Sequence, residues 1–254
     1  MRLKMTVAYD GTGFSGFQSQ PSCRTVQTVL EQALTKVAGH PVRVTSSGRT
    51  DAGVHAKGQV IHCDIDSTMP VERWARALNH TLPQDVLVQA VEHVHDRFHA
   101  RKDARWKWYR YSWDNRSIPD LFIRRYTTHW PHPLDGNAMV EAGRHLIGTH
   151  DFTAFSAARA QVSHRVRTLY DCRMVQPQPG VVAMDVIGDG FLYNMVRIIA
   201  GTLLDVGMGK ISADSIPAIV AAKKREAAGK TLPPQGLCLM RVGYDDFVER
   251  NSLS

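Results

Sequence analysis

Val42-Arg43-Val44-Thr45-Ser46-Ser47-Gly48-Arg49-Thr50-Asp51-Ala52-Gly53-Val54-His55-Ala56-Lys57-Gly58-Gln59-Val60-Ile61-His62-Cys63-Asp64 is the stretch on which the fold turns. It reads as two strands, near Val42–Thr45 and Gly58–Asp64, joined by a polar loop that contains Gly48 and Gly53. Upstream, Val26, Val29, Leu30, Ala33, Leu34 and Val37 keep helical spacing until Gly39 stops them. Before that helix, Lys4–Tyr9 alternates as a strand. Downstream, Pro70 to Asn79 is a short helix with the inner stripe Val71, Trp74, Ala75 and Leu78, and Val86 to Val94 is another strand. The order is β-α-β-β-α-β.

The remainder repeats that order without repeating its letters. Arg105–Trp113 reads as a strand and Asp135–Leu146 as a helix. Val166–Val175 and Val181–Val186 form a hairpin across Pro177-Gln178-Pro179-Gly180. Phe191–Val206 is a long apolar helix, Ala213–Ala222 another, and Leu237–Val242 a last strand. The expected class is α+β: two ferredoxin-like (split βαβ) halves, 1–104 and 105–254, whose antiparallel sheets join around a central cleft, with helices on the outer face. The first half carries the Asp51 loop, the second a basic, aromatic strand and the helix of Arg197.

Composition narrows the function. Of 254 residues, 43% are apolar, enough for packed cores, and the net charge of +7 favours an anionic partner, nucleic acid foremost. No stretch approaches the ~18 consecutive apolar residues of a membrane span. Met1-Arg2-Leu3-Lys4-Met5 lacks the apolar core of a signal peptide, so a cytoplasmic protein away from membranes is expected. Cys23, Cys63, Cys172 and Cys238 form no CxxC pair and read as reduced thiols.

Four features carry chemistry. Gly48 and Gly53 allow positive φ and close approach of backbone to a ligand, so the Asp51 carboxylate between them can be aimed, and Arg49 can hold it ionised. The plainer alternative is a turn in which Asp51 bonds its own backbone. In Arg101 to Trp113, period two places Arg105, Lys107, Tyr109, Tyr111 and Trp113 on one face, a mixture that suits phosphates and unstacked bases. Arg197 lies in an otherwise apolar helix and needs a partner: Asp205 or Asp185 as a structural pair, or Asp51 as a functional one. His62, Asp64 and Asp66 alternate on one strand and offer a divalent-metal alternative, with metal-dependent nuclease chemistry as its consequence. By contrast, Gly11-Thr12-Gly13-Phe14-Ser15-Gly16 matches G-x-G-x-x-G by letter only. Phe17 to Ser22 separate it from the helix that a dinucleotide site requires, and a loop facing RNA or an active site is expected.

Taken together, these pieces resemble the TruA-type tRNA pseudouridine synthase family. The resemblance rests on Tyr9-Asp10-Gly11-Thr12, on Gly48-Arg49-Thr50-Asp51-Ala52-Gly53-Val54-His55 with Gly58-Gln59-Val60, and on Phe98-His99-Ala100-Arg101. It continues through Tyr109-Arg110-Tyr111, Asp151-Phe152-Thr153-Ala154-Phe155, Phe191-Leu192-Tyr193-Asn194-Met195-Val196-Arg197 and Gly236-Leu237-Cys238-Leu239. The family usually shows Gly-Trp-Gln-Arg-Gln where this chain has Gly16-Phe17-Gln18-Ser19-Gln20, one indole and one cation fewer. The resemblance implies a homodimer that grips tRNA and isomerises uridine to pseudouridine on the 3′ side of the anticodon stem-loop, without metal or cofactor. It implies Asp51 as the catalytic aspartate, Arg49 as its partner and a holder of the extruded nucleotide, Tyr109 as a platform for the base and a proton carrier, and Arg197 as a buried cation beside Asp51. Gln18, His55, Arg101, Arg105, Lys107 and Tyr111 complete the expected RNA contacts.

That chemistry needs these residue types. Breaking a glycosidic bond and rejoining uracil through carbon requires a group that captures or stabilises the reacting centre. An ionised carboxylate does so as nucleophile or proton relay. Extruding the nucleotide costs a few kcal/mol, which stacking and an inserted Arg offset. A non-catalytic RNA-binding protein would share the charge and the aromatic strand, but would give no reason for an Arg-Thr-Asp loop.

Overall fold

The alternation of Arg2–Tyr9 buries Leu3, Met5, Val7 and Tyr9 and leaves the residues between them half-buried, the signature of a strand with one face on a core. In the computed structural model, which describes residues 1–157 and 164–247, this strand is β1. The chain forms two compact units: Met1–Ala104 with Cys238–Val242, and Arg105–Leu237 with the residues from Gly243 onward.

In the first unit β1 lies between β3 (His55–Asp64) and β4 (Val86–Val94), antiparallel to both. The other edge of β3 is shared. Thr45 and Ser46 of β2 (Thr45–Ser46) pair with His62 and Ile61. Cys238 and Leu239 of the last strand (Leu237–Gly243) run parallel to His55 and Ala56. Helix α1 (Val26–Ala38) buries Val26, Leu30, Ala33 and Leu34; Thr25 caps it by accepting from the Thr28 amide, and Gly39 ends it at φ 77°. Helix α2 (Val71–Thr81) buries Trp74 and Leu78.

The strand expected at Val42–Thr45 shrinks to β2. Val42 and Val44 are buried, as their alternation implies, but their amides do not enter a ladder. The Val42 N–H donates to Thr35 Oγ1 at 3.1 Å and the Val44 N–H to Glu31 Oε1 at 3.1 Å. Side chains of α1 satisfy donors that a neighbouring strand would otherwise take.

The second unit orders its strands β5-β9-β8-β7. These are β5 (Trp106–Asp114), β7 (Gly148–Asp151), β8 (Val166–Gln178) and β9 (Val181–Gly188), all antiparallel, while β6 (Thr128–His129) adds to β5 in parallel. The expected hairpin is present, turning at Gly180 with φ 75°. Helix α3 (Gly136–Arg144) is capped by the Asp135 carboxylate, which accepts from the Ala138 amide. Helix α4 (Met195–Gly207) is buried on nearly every side, and α5 (Ile216–Ala222) follows a 3-10 turn. The apolar run from Phe191 becomes helical only at Met195, because Asn194 sits in the left-handed region at φ 61°. The last strand is β10, and the chain is an α+β protein with mostly antiparallel pairing. No helix among the described residues is long and apolar enough to cross a membrane.

Asp151, at the end of β7, accepts from Thr153 Oγ1 at 2.6 Å and from its amide at 3.1 Å, and takes the Lys223 ammonium at 2.9 Å. The Thr153 hydroxyl first, then Lys223, hold this carboxyl down at about 2. A carboxylate held below its unfolded value of ~3.9 stabilises the fold above that pH and loses the contribution as pH falls toward the folded value. Urea unfolding of wild type and Asp151→Asn across pH 2 to 6 is expected to show wild type more stable at the neutral end, with the gap narrowing on acidification.

Candidate active site and nucleic-acid interface

The residues before β3 form a loop that is locked from below. Thr50 is buried, and its hydroxyl meets Tyr9 Oη at 2.8 Å. Ser47 N–H donates to the Val60 carbonyl at 2.8 Å, and Gln59 Nε2 donates to the Gly48 carbonyl at 2.9 Å. A second loop, following β1, interlocks with it: Phe17 N–H donates to the Thr50 carbonyl at 3.0 Å and Gly53 N–H to the Phe14 carbonyl at 3.3 Å. The approach is close enough to demand glycine. A Cβ on Gly11 would lie 2.1 Å from the Val54 carbonyl oxygen, and Gly16 has φ 95° with the Thr50 carbonyl oxygen 3.0 Å from where its Cβ would be. Arg24 braces the second loop, with its guanidinium 4.0 Å from the Phe14 ring centroid and bidentate on Asp85 at 2.7 and 2.9 Å.

On this support Asp51 is half-buried between exposed Arg49 and exposed Ala52. Its turn is closed by main chain, the Val54 N–H donating to the Asp51 carbonyl at 3.1 Å. Arg49 forms no ion pair among the described residues, contrary to the expected pairing with Asp51. The inward tether on Thr50 leaves Arg49 at the surface, where a guanidinium keeps its hydration.

Other expected RNA contacts separate by burial. Gln18 and Arg101 are exposed, Arg105 is exposed and pairs with Asp246, and Lys107 is half-buried. His55 does not fit: it is 3% exposed, and its Nδ1 accepts the Gly11 N–H at 2.9 Å. Asp10 Oδ1 lies 3.3 Å from the same nitrogen. Tyr111 is 0% exposed; its hydroxyl meets Thr128 Oγ1 at 2.6 Å and donates to the Pro233 carbonyl at 2.9 Å. With Trp113 also fully buried, that face of β5 is core along its C-terminal part, and the two side chains cannot serve as an RNA surface. Tyr109 is buried with its ring edge-on to Phe191 at 5.1 Å. The departure Phe17 is 2% exposed and lies against Tyr9 at 6.3 Å, so this aromatic anchors the loop from within.

Arg197 is half-buried on α4, its Nε donating to the Leu232 carbonyl at 2.7 Å and one terminal nitrogen to Asn194 Oδ1 at 2.9 Å. The acids considered as structural partners are taken elsewhere. Asp185 binds Arg110 bidentately at 2.7 and 2.8 Å, and Asp205 pairs with Lys210 at 3.6 Å. The metal alternative loses its donors in the same way: Asp64 holds Arg2 with both oxygens, and His62 Nδ1 accepts the Ala100 N–H at 3.1 Å. Cys63 and Cys172 are buried, which pushes both thiols up to about 12 and leaves them unreactive at neutral pH.

The sequence profile of the tRNA pseudouridine synthase family matches residues 5–102 and 142–245. The chain belongs to that family. It is 51% identical over 248 residues to tRNA pseudouridine synthase A of Bacillus pumilus (strain SAFR-032), covering 97% of this chain and 100% of that protein. The Bacillus subtilis (strain 168) protein of the same name gives the same identity and coverage, and that of Bacillus velezensis is 52% identical over 249 residues. In this pseudouridine synthase the parts that motif reading undervalued are Tyr9 and Gln59. The signal was available: a tyrosine ending β1 and a glutamine inside the apolar run of β3 are polar groups at buried positions, and such groups require partners.

Gly11→Ala is expected to force the Asp10–Phe17 loop off the Val54 carbonyl and so displace the Asp51 loop. Turnover on tRNA should fall by at least ~10²-fold, the scale set by ångström misplacement of a catalytic group. The check is single-turnover kinetics on enzyme that passes a near-UV circular dichroism comparison with wild type.

Proposed function

We propose that this chain converts uridine to pseudouridine in tRNA, with Asp51 as the catalytic carboxylate. One observation carries the assignment: two interlocked loops bury Thr50 and hold Asp51, half-buried, on a turn that the main chain closes. A carboxylate fixed at its backbone suits capture of the reacting centre. Family membership supports the reaction type, and the names of the relatives support tRNA as substrate.

Around Asp51 the reading assigns Arg49 to the extruded nucleotide, consistent with an exposed, hydrated guanidinium. Tyr109 is assigned to the uracil ring; its contact with Phe191 supplies an aromatic neighbour for a base to displace or join. Arg197 is assigned to the catalytic set, and its guanidinium is already oriented by Leu232 and Asn194. Gln18, Arg101, Arg105 and Lys107 remain as candidate contacts to the RNA backbone. The target is placed on the 3′ side of the anticodon stem-loop, following the resemblance, and the reaction needs no metal or cofactor.

The finer architecture is proposed as two split βαβ halves, 1–104 and 105–254. The strand order β4-β1-β3-β2 supports it for the first half, being that of a ferredoxin-like sheet. A cytoplasmic homodimer is likewise proposed. Its support is an apolar surface on the loop between β5 and β6, where Ile118 is 80%, Leu121 63% and Phe122 87% exposed. Hydrogen bonds brace the loop: Asp114 accepts from the Arg116 side chain at 2.7 Å and the Asp120 amide at 2.8 Å, and Asp120 accepts from the Phe122 amide at 2.8 Å. An exposed apolar patch of this kind supports association with another chain. Phe122→Asp combined with Leu121→Ser should leave the fold intact and yield a monomer by sedimentation velocity where wild type sediments as a dimer.

Asp51→Asn tests the function. The amide keeps the shape but cannot act as nucleophile or anionic base, so tritium release from uracil C5 should disappear while tRNA affinity stays near wild type. Turnover within about tenfold of wild type would falsify the assignment, since loss of a covalent or acid–base group costs ~10²-fold or more.

A further inference from the structure

Beneath the Asp51 loop lies a polar network in a place where none is needed for solubility. Gln59 is 0%, Ser47 0%, Tyr9 4% and Thr50 6% exposed. Gln59 Oε1 accepts from Ser47 Oγ at 2.7 Å and from the Val60 amide at 3.0 Å. Its Nε2 donates to the Gly48 carbonyl at 2.9 Å and reaches Tyr9 Oη at 3.5 Å. Tyr9 Oη in turn meets Thr50 Oγ1 at 2.8 Å. Burial pushes the Tyr9 phenol well above its ordinary value, so it keeps its proton throughout the neutral range.

Either hydroxyl can donate in the Tyr9–Thr50 bond, and an amide N–H of Gln59 reaches the same Tyr9 oxygen. Three of the links join the sheet to the loop: Tyr9 ends β1, Gln59 lies in β3, and their partners Ser47, Gly48 and Thr50 lead directly into Asp51. Stability alone does not call for this network, because replacing both partners of a buried hydrogen bond by apolar groups of the same shape can be nearly neutral. What hydrogen bonds add is direction.

We infer that Tyr9 and Gln59 are positioning residues for the pseudouridine synthase reaction: their buried hydrogen bonds to Thr50 and Gly48 fix the height and rotation of the loop that presents Asp51. The inference rests on Asp51 being the catalytic carboxylate. It predicts a defect in the chemical step rather than in tRNA binding or folding.

The test uses the full chain and a tRNA transcript, with single-turnover rates at saturating enzyme, tRNA affinity by filter binding, and urea midpoints. Tyr9→Phe keeps the ring and deletes the hydroxyl; Thr50→Val deletes its partner at nearly constant shape. Each should slow conversion by about 10- to 100-fold with affinity within about twofold of wild type, the range expected for a displaced reacting group. The double variant should be no slower than the worse single one, because both remove the same bond. Thr50→Ser, which retains the hydroxyl, should recover most of the rate. Gln59→Met, an unbranched replacement of similar volume, should show the same rate defect as Tyr9→Phe. Rates within twofold of wild type in Tyr9→Phe and Thr50→Val, or losses that appear in affinity or stability alone, overturn the positioning role. Asp51→Asn run in parallel separates the two ideas: if it too stays active, the underlying reading has failed, and if it alone is inactive, only the positioning role has.

Discussion

Two glycine-bearing loops satisfy each other's main-chain donors, and the first unit depends on that exchange. The buried Phe17 amide would otherwise lack an acceptor, at a cost of ~1–3 kcal/mol. The exchange requires backbone to touch backbone, which is why a Cβ at Gly11 has no room. It also explains why a G-x-G-x-x-G match here has nothing to do with phosphate. The glycines serve contact with the Asp51 loop, and α1 begins only at Val26, whose amide donates to the Gly16 carbonyl at 3.2 Å.

Much of the fold was legible because burial imposes periodicity. Helix α1 ends where its apolar spacing and Gly39 say it should, and β4 matches the run Val86–Val94. The misses share a cause: alternation reports burial, not hydrogen-bond partners. Val42 and Val44 alternate because their side chains are buried, yet Thr35 and Glu31 take their amides. On β5, period two grouped Lys107, Tyr109, Tyr111 and Trp113 correctly by parity but could not say which face was core. Short elements such as β6 and β7 offer too few residues for any period to register.

The Asp51 loop was legible for a different reason. Its letters combine a carboxylate, a guanidinium and glycines in a way that few structural needs produce, so the candidate stood out before any geometry. Its supports did not. Tyr9 and Gln59 are ordinary residues whose importance lies in where their polar atoms end up, and only the fold places them under Thr50 and Gly48. Sequence reading finds groups that react more readily than groups that hold them.

The histidines show the same limit from the other side. His55, His62, His95 and His99 each accept a backbone amide at Nδ1: Gly11, Ala100, Arg97, and both Arg101 and Lys102 respectively. Each such nitrogen already has a protein partner. Burial, then the Arg2 guanidinium and His99, lower the pKa of His62 and favour its neutral form. On the strand that offered a ligand set, His62 is therefore a backbone acceptor. The acids beside it follow the same economy, with Asp64 fixed on Arg2 and Asp85 on Arg24. Cations that neutralise structural carboxylates add nothing to the pull on RNA, whereas Arg49 and Arg101 stay exposed near the loop and the end of the first unit. Pairing leaves the net charge of +7 unchanged but decides where the cations that a polyanion meets are displayed.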